Sequence, residues 1–243
     1  MVDIHSHILP GVDDGAKSWE TAVEMVRLAY ADGTRHMAAT PHANDNYGYD
    51  RGSAEEMLAE LKKRCEVAME FSLGCDLHFS IENVEAALAH PEQYCIGGSE
   101  YMLVEFSDFA ISRFVGDALL RLLRGGTVPI ITHPERNPIL QQQPEDIVGF
   151  AECGCLIQVT ANSLTGFWGE RARKTAAWLL DRECVHVIAS DAHDLDRRPP
   201  ILSKARDWLT RRYSAALSQA LCHDNPNAIV SGQTLFYLPE VRR

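Results

Sequence analysis

The sequence predicts an α/β fold built on a parallel sheet, and three observations carry that prediction. Seven short apolar or β-branched runs alternate with segments of helical pattern, the arrangement expected of successive βαβ units. Caps and glycine stops fall where those helices should begin and end. The length, 243 residues, suits a single α/β barrel, which commonly has about 250. Seven repeats fit a closed or nearly closed barrel better than an open sheet. One domain over residues 1–243 is expected.

In order, residues 1–5 form the first run and end at His5. The first helix spans 18–32, with Ser18 as its cap, Thr21 and Glu24 in its first turn and Gly33 at its end. Run 35–40 precedes a helix over 53–70, and run 71–75 precedes a short helix over 84–90. That shortness suggests an irregular barrel. Run 101–105 leads to helix 113–124, closed by Gly125-Gly126, and run 127–132 to helix 144–152, closed by Gly154. Run 155–160 leads to helix 169–182, and run 185–190 to helix 200–213. A last helix near 214–222 gives way to Asp224-Asn225-Pro226 and a short segment ending at Arg243. No long linker, internal repeat or low-complexity tract interrupts the series.

Composition narrows the functions. Hydrophobic residues make up 46% and charged ones 23%, ordinary values for a soluble globular protein. No apolar run approaches the roughly 20 residues that span a bilayer, and no basic segment precedes an apolar core at the start. A cytoplasmic protein without membrane insertion is therefore expected. The net charge of −11 argues against nucleic acid, which needs a basic footprint. It also looks wrong for an enzyme of anions, unless bound cations reverse the local sign. The seven cysteines form no framework, so reduced thiols are expected. Cys153 and Cys155 are the one close pair, and no second pair completes a zinc knuckle. None of the seven has an arginine six positions on, so the phosphate loop of a cysteine-nucleophile phosphatase is absent.

The chemistry gathers where the runs end. His5 and His7 close the first run, and two residues apart on an extended backbone they share a face. Both imidazoles can then reach one metal ion. Asp13 and Asp14 follow in the next loop and bring oxygen ligands to the same place. Thr40-Pro41-His42 follows the second run, Asp76 and His78 the third, and Glu105 ends the fourth. His133-Pro134-Glu135-Arg136 follows the fifth and Asp191-Ala192-His193 the seventh, while the sixth ends in the polar but weakly ligating Gln158 to Asn162. The carboxyl ends of parallel strands are where such folds build their sites. An all-nitrogen and oxygen set suits Mn, Fe or Zn. Closely spaced ions with Arg136 and Arg198 nearby point to phosphate ester hydrolysis.

Other residues read more plainly. His36, His90, His186 and His223 lie away from the run ends and are expected to be structural or on the surface. His78 is open between ligand and bystander, Glu135 is expected to pair with an arginine, and Arg197 to be a solvated neighbour. Phe167-Trp168 and Tyr47-Gly48-Tyr49 either line a pocket for an aromatic group or cover its mouth.

His5-Ser6-His7, Asp13-Asp14-Gly15, Thr40-Pro41-His42, Glu105-Phe106-Ser107, His133-Pro134-Glu135-Arg136 and Ser190-Asp191-Ala192-His193 together resemble the PHP (polymerase and histidinol phosphatase) superfamily. Within it, the chain resembles the bacterial manganese-dependent protein tyrosine phosphatases of capsule and exopolysaccharide operons. Asp194-Leu195-Asp196 before Arg198-Pro199-Pro200, and Asp224-Asn225-Pro226, add to the likeness, which covers essentially the whole chain. The resemblance implies a distorted (β/α)7 TIM-like barrel holding three divalent ions, with Mn the expected metal. It implies His5, His7 and Asp191 on one ion, Asp14, His42 and His193 on a second, and Glu105 and His133 on a third. A carboxylate bridging the first and third is expected at Asp76, where the family usually has a glutamate, with Glu82 as the fallback. Arg136 and Arg198 match the arginines that bind the phosphoryl group.

The implied reaction is hydrolysis of phosphotyrosine by a metal-activated water, with Arg136 and Arg198 neutralising charge. A metal-bound water or His42 would donate any proton needed. The implied partner is a phosphotyrosine protein, a bacterial tyrosine kinase. Two alternatives stay open: a small-molecule phosphatase such as histidinol phosphatase, and a non-catalytic metal-binding regulatory module.

Overall fold

The computed structural model describes residues 1–241. In chain order the elements are β1 (Val2–Asp3), α1 (Trp19–Ala31), β2 (His36–Ala39), β3 (His42–Ala43), α2 (Arg51–Arg64), β4 (Glu70–Leu73) and β5 (Asp76–His78). They continue as α3 (Ile81–Ala89), β6 (Tyr101–Glu105), α4 (Val115–Arg124), β7 (Val128–Thr132), α5 (Glu145–Glu152), β8 (Leu156–Thr160) and α6 (Ala161–Leu164). Last come α7 (Gly169–Asp181), β9 (Val187–Ala189), α8 (Ser203–Arg212), α9 (Ala215–Gln219) and α10 (Asn225–Val230). All strand pairs are parallel, in two sheets ordered β1-β2-β4 and β3-β5-β6-β7-β8-β9.

Each of the seven predicted runs holds strand, but the second and third are each followed, past their predicted ends, by a further short strand, β3 and β5. Thr40-Pro41 separates β2 from β3, and Pro41 has no N–H to give a ladder. Gly74-Cys75 separates β4 from β5. A Cβ on Gly74 would lie 2.7 Å from Ile96 Cγ1, so a bare backbone is required there. The chain stays in step across both breaks, because Gly74 N–H donates to Ala39 O (2.9 Å) and Asp76 N–H to Pro41 O (3.0 Å). At the other end of the order, the first and last runs meet. Ser6 bridges Ala192 in parallel, with His7 N–H donating to Ala192 O (2.8 Å) and Asp191 N–H to His5 O (2.9 Å).

The central strands are buried on both faces, β8 throughout, as a sheet covered on both sides requires. Period-two alternation then divides the core. Met102, Val104, Ile131, Ile157 and Ile188 pack with the helices, including Leu119 of α4 and Leu179 of α7. Leu103, Ile130, Leu156 and Val187 pack instead with Val2, Ile4 and Ala38 from the other sheet and with Ile229 of α10.

Helix ends follow local chemistry. Ser18 Oγ accepts from Thr21 N–H (3.3 Å) at α1, and Ser80 Oγ from Asn83 N–H (3.0 Å) at α3, three residues earlier than predicted. The helix predicted over 53–70 is α2, capped by Asp50 and ended at Arg64, where Cys65 turns extended (ψ 124°). Glu70 belongs to β4 instead. The prediction missed α10, because Asn-Pro-Asn reads as a turn. Proline is tolerated in a first helical turn, and here apolar burial of Ala228, Ile229 and Val230 decides for helix.

Candidate metal centre

The first loop is pressed onto the end of the first run. A Cβ on Gly15 would fall 2.1 Å from His7 O, so only glycine lets Asp13 and Asp14 reach the histidines. The two acids then divide their work. Asp13 Oδ2 accepts from His7 Nδ1 (2.7 Å) and from His42 N–H (3.1 Å), and Oδ1 from Gly15 N–H (2.9 Å). Burial opposes the charge on Asp13, but the His7 ring outweighs it and holds the carboxyl down to about 2. Asp13 therefore orients His7 and does not add an oxygen to the cluster. Asp14, half exposed, is the one that faces inward, with Oδ1 3.4 Å from His42 Nε2 and 3.3 Å from His193 Nε2.

His5 is held in the same manner. Its Nδ1 donates to Gln158 Oε1 (3.0 Å), so its Nε2 faces His7 Nε2 at 3.2 Å. With both Nδ1 atoms carrying the proton, two lone pairs point at each other, an arrangement that calls for a cation between them. Asp76 Oδ2 lies 3.4 Å from His5 Nε2, and Asp191 Oδ1 lies 3.5 Å from the Nε2 of both His5 and His7. His193 Nδ1 donates to Asp191 O (3.0 Å), which leaves its Nε2 free.

The nine predicted ligands converge into overlapping groups whose ligand atoms lie within 4.8 Å of one another. His7, Asp14, His42 and His193 form one group, which unites the predicted second set and adds His7. His5 and His7 group with Asp76, and His5 and His133 with Asp191. Glu105 groups with His42 and Asp76, and its Oε1 is 3.6 Å from His133 Nε2. Asp76 is fully buried, whereas Glu82 is exposed in the first turn of α3, in none of these groups. His78 Nδ1 lies 3.5 Å from Glu105 Oε2 but joins no group among the described residues.

Divalent cations fit this donor set. Among the described residues, His42 Nδ1, Asp76 Oδ2, His133 Nε2 and His193 Nε2 are all buried without a hydrogen-bond partner, a costly state unless something else satisfies them. Burial works against charge on His42, but Asp14 and Asp76 outweigh it and push the imidazole up to about 11. His5 is likewise raised to about 9 by Asp76 and Asp191 against its burial. These carboxylates are arranged for cations, and a bound metal would displace the protons. Burial and the neighbouring His7 take His193 the other way, down to about 4. Two of these candidate ligands sit on unusual backbone, His133 at φ +36° and Asp191 at φ +53°. Such left-handed residues cluster at sites that the surrounding structure holds in place.

The arginines stand across from the histidines. Arg136 and Arg198 each donate to Asp191 Oδ2, at 2.5 and 2.6 Å. Sequence reasoning missed the supports: Gln158 on His5, Asp13 on His7, and Asp3, whose Oδ2 accepts from Ser190 Oγ (2.5 Å). It also misjudged Glu135. That carboxylate is fully buried and accepts from Thr160 N–H (3.1 Å) and Ser163 Oγ (2.5 Å), with no ion pair to an arginine among the described residues. Burial raises it to about 7. The polar end of the sixth run was the one available signal for Gln158 and for the partners of Glu135.

Comparison with known proteins finds relatives over nearly the whole chain. The tyrosine-protein phosphatase CpsB of Streptococcus pneumoniae is 32% identical over 248 residues, covering 97% of this chain and all of that protein. The tyrosine-protein phosphatase YwqE of Bacillus subtilis (strain 168) is 30% identical over 243 residues, covering 98% and 95%. A crystal structure from work on YwqE and CpsB, described as metal-dependent tyrosine phosphatases, superposes with a TM-score of 0.93 at 30% identity over the full length of both chains. Dihydropyrimidinase from Brevibacillus agri shares the fold alone, with a TM-score of 0.57 at 10% identity, covering all of this chain and 72% of that one. The model for capsular polysaccharide synthesis proteins of the CpsB/CapC type matches residues 1–231, and the chain belongs to that family.

Proposed function

We propose that this chain is a metal-dependent tyrosine-protein phosphatase, acting in one domain over residues 1–243. The observation that carries it is the convergence of nine nitrogen and oxygen ligands opposite two arginines on one carboxylate oxygen. The names of CpsB and YwqE support the substrate class. We read the two sheets as one distorted (β/α)7 barrel, supported by the meeting of the first and last runs at Ser6 and Ala192.

His5, His7 and Asp191 would hold one ion, Asp14, His42 and His193 a second, and Glu105 and His133 a third, with Asp76 between the first and third. Manganese is the expected metal, with iron or zinc as alternatives. Such ions, when bound, lower the pKa of a coordinated water toward about 7 and offset charge on phosphoryl oxygens. Arg136 and Arg198 bind the phosphoryl group and stay charged at any working pH. Phenolate is a good leaving group, so little proton donation is required. His42 could supply a proton only at the expense of ligation, because Asp14 and Asp76 face its two nitrogens. All seven cysteines are free, in keeping with a reducing cytoplasm and a phosphotyrosine protein there, a bacterial tyrosine kinase of capsule or exopolysaccharide export.

The test compares turnover of a phosphotyrosine peptide and of histidinol phosphate on chelator-stripped protein refilled with Mn. Peptide turnover that chelator abolishes is expected. Preference for histidinol phosphate would overturn the substrate, and metal binding without turnover of either would leave a regulatory module.

A further inference from the structure

The two arginines share a second contact that the metal ligands do not explain. Trp168 lies in the turn between α6 and α7, between Gly166 (φ +88°) and Gly169 (φ +87°). The guanidinium carbon of Arg136 stands 4.2 Å from the centroid of its ring, and that of Arg198 stands 5.5 Å away. Phe167 packs edge-on against the indole, at 5.3 Å and 87°. Three successive loops, after β7, β8 and β9, thus bring Arg136, Trp168 and Arg198 to one place.

Two cations converging on Asp191 Oδ2 repel each other, and one carboxylate oxygen offsets only part of that repulsion. An aromatic face carries negative potential and attracts a guanidinium over its centre. A rigid plane beside two long side chains also removes rotamers that phosphate binding would otherwise have to freeze. Among the described residues the buried Arg198 Nε has no hydrogen-bond partner, and that side chain is held by Asp191, by the ring and, more loosely, by Asp14 at 4.0 Å.

We propose that Trp168 is a positioning residue for phosphate. Its indole face sets the two guanidiniums so that their remaining N–H donors are presented together to a phosphoryl group. The inference rests on the phosphatase reading for its substrate, but its test needs no turnover.

The experiment is calorimetric titration of inorganic phosphate into metal-refilled protein, with metal content measured for each variant. Trp168→Leu keeps apolar bulk and loses the π face, and should weaken phosphate binding on the order of tenfold. Trp168→Phe keeps a face and should stay within about threefold of the parent. In an Arg136→Ala background, Trp168→Leu should cost less than about twofold more, because one of the two charges it holds is gone. With an aryl phosphate, the Leu variant should raise KM more than it lowers kcat. Unchanged phosphate affinity in Trp168→Leu overturns the proposal. So does equal damage by Phe and Leu, which would move the role to the indole N–H, or an undiminished loss in the Arg136→Ala background. A parent that binds phosphate but turns over no phosphotyrosine would sink the enzymatic reading and leave this one standing.

Discussion

Two buried histidines at opposite ends of the parallel strands show what burial does and does not decide. His186 enters β9 at its amino end, 5% exposed, and its Nδ1 accepts from Ile157 N–H (3.0 Å). Its carbonyl accepts from Asn225 Nδ2 (2.9 Å). No carboxylate among the described residues pairs with it, and burial lowers it to about 4 and keeps the ring neutral. His5 ends the first run at the carboxyl end and is fully buried too, yet Asp76 and Asp191 outweigh burial and raise it to about 9. The amino end is satisfied by backbone and apolar packing. The carboxyl end concentrates carboxylates and unpartnered nitrogens, a donor set that fits cations.

The largest test of that contrast is Asp76→Asn. It should lower the metal-dependent activity at least about 100-fold, with fewer ions bound per chain. The thermal midpoint of the metal-free protein should fall as well, because Asp76 stands against His5 and His42 and supports their charges. Unchanged metal stoichiometry in a variant that is still folded would take Asp76 out of the cluster and break the contrast.

In metal-free protein His186 and His5 should then respond to pH in opposite directions. The folded pKa of His186 lies below its ordinary value near 6.5, so its contribution is complete above pH 6.5. It is lost as pH falls toward 4, by up to about 3 kcal/mol. The folded pKa of His5 is raised, so its contribution is complete below pH 6.5 and is lost as pH rises through about 9. Urea unfolding across this range should show both slopes. His186→Gln should flatten the acid slope and His5→Gln the alkaline one, and a variant that flattens the wrong limb refutes the assignment.

The smallest expected effect is at Asn225, buried at the amino end with Nδ2 donating to His186 O and Tyr237 O. Asn225→Ala should cost about 2 kcal/mol of stability and leave metal stoichiometry and phosphate affinity in place. Metal loss in a variant that is still folded would mean that the two ends are coupled.

Periodicity and capping made most of the fold legible: the seven runs and the cap at Ser18 are local properties of the chain. What escaped were features whose cause is distant in sequence. The break at Gly74 depends on Ile96, and α10 depends on the apolar surface that buries it. Within the site, ligand types at run ends were visible because each requires only a strand and its direction. Gln158 and Asp13 were not assigned as supports, since which neighbour a ring nitrogen meets is set by tertiary packing.

By itself, then, the sequence determined which side chains stand at the carboxyl ends of the parallel runs, because alternation and turn chemistry act over a few residues. Tertiary structure alone decided how those side chains divide the work. It turned Asp13 toward His7 and Asp14 toward the cluster, buried Asp76 while leaving Glu82 in solvent, and set Arg136 and Arg198 on Trp168. The reason is distance: Asp191 meets Arg136 across 55 positions of chain, and no local preference specifies such a contact until the strands are in register.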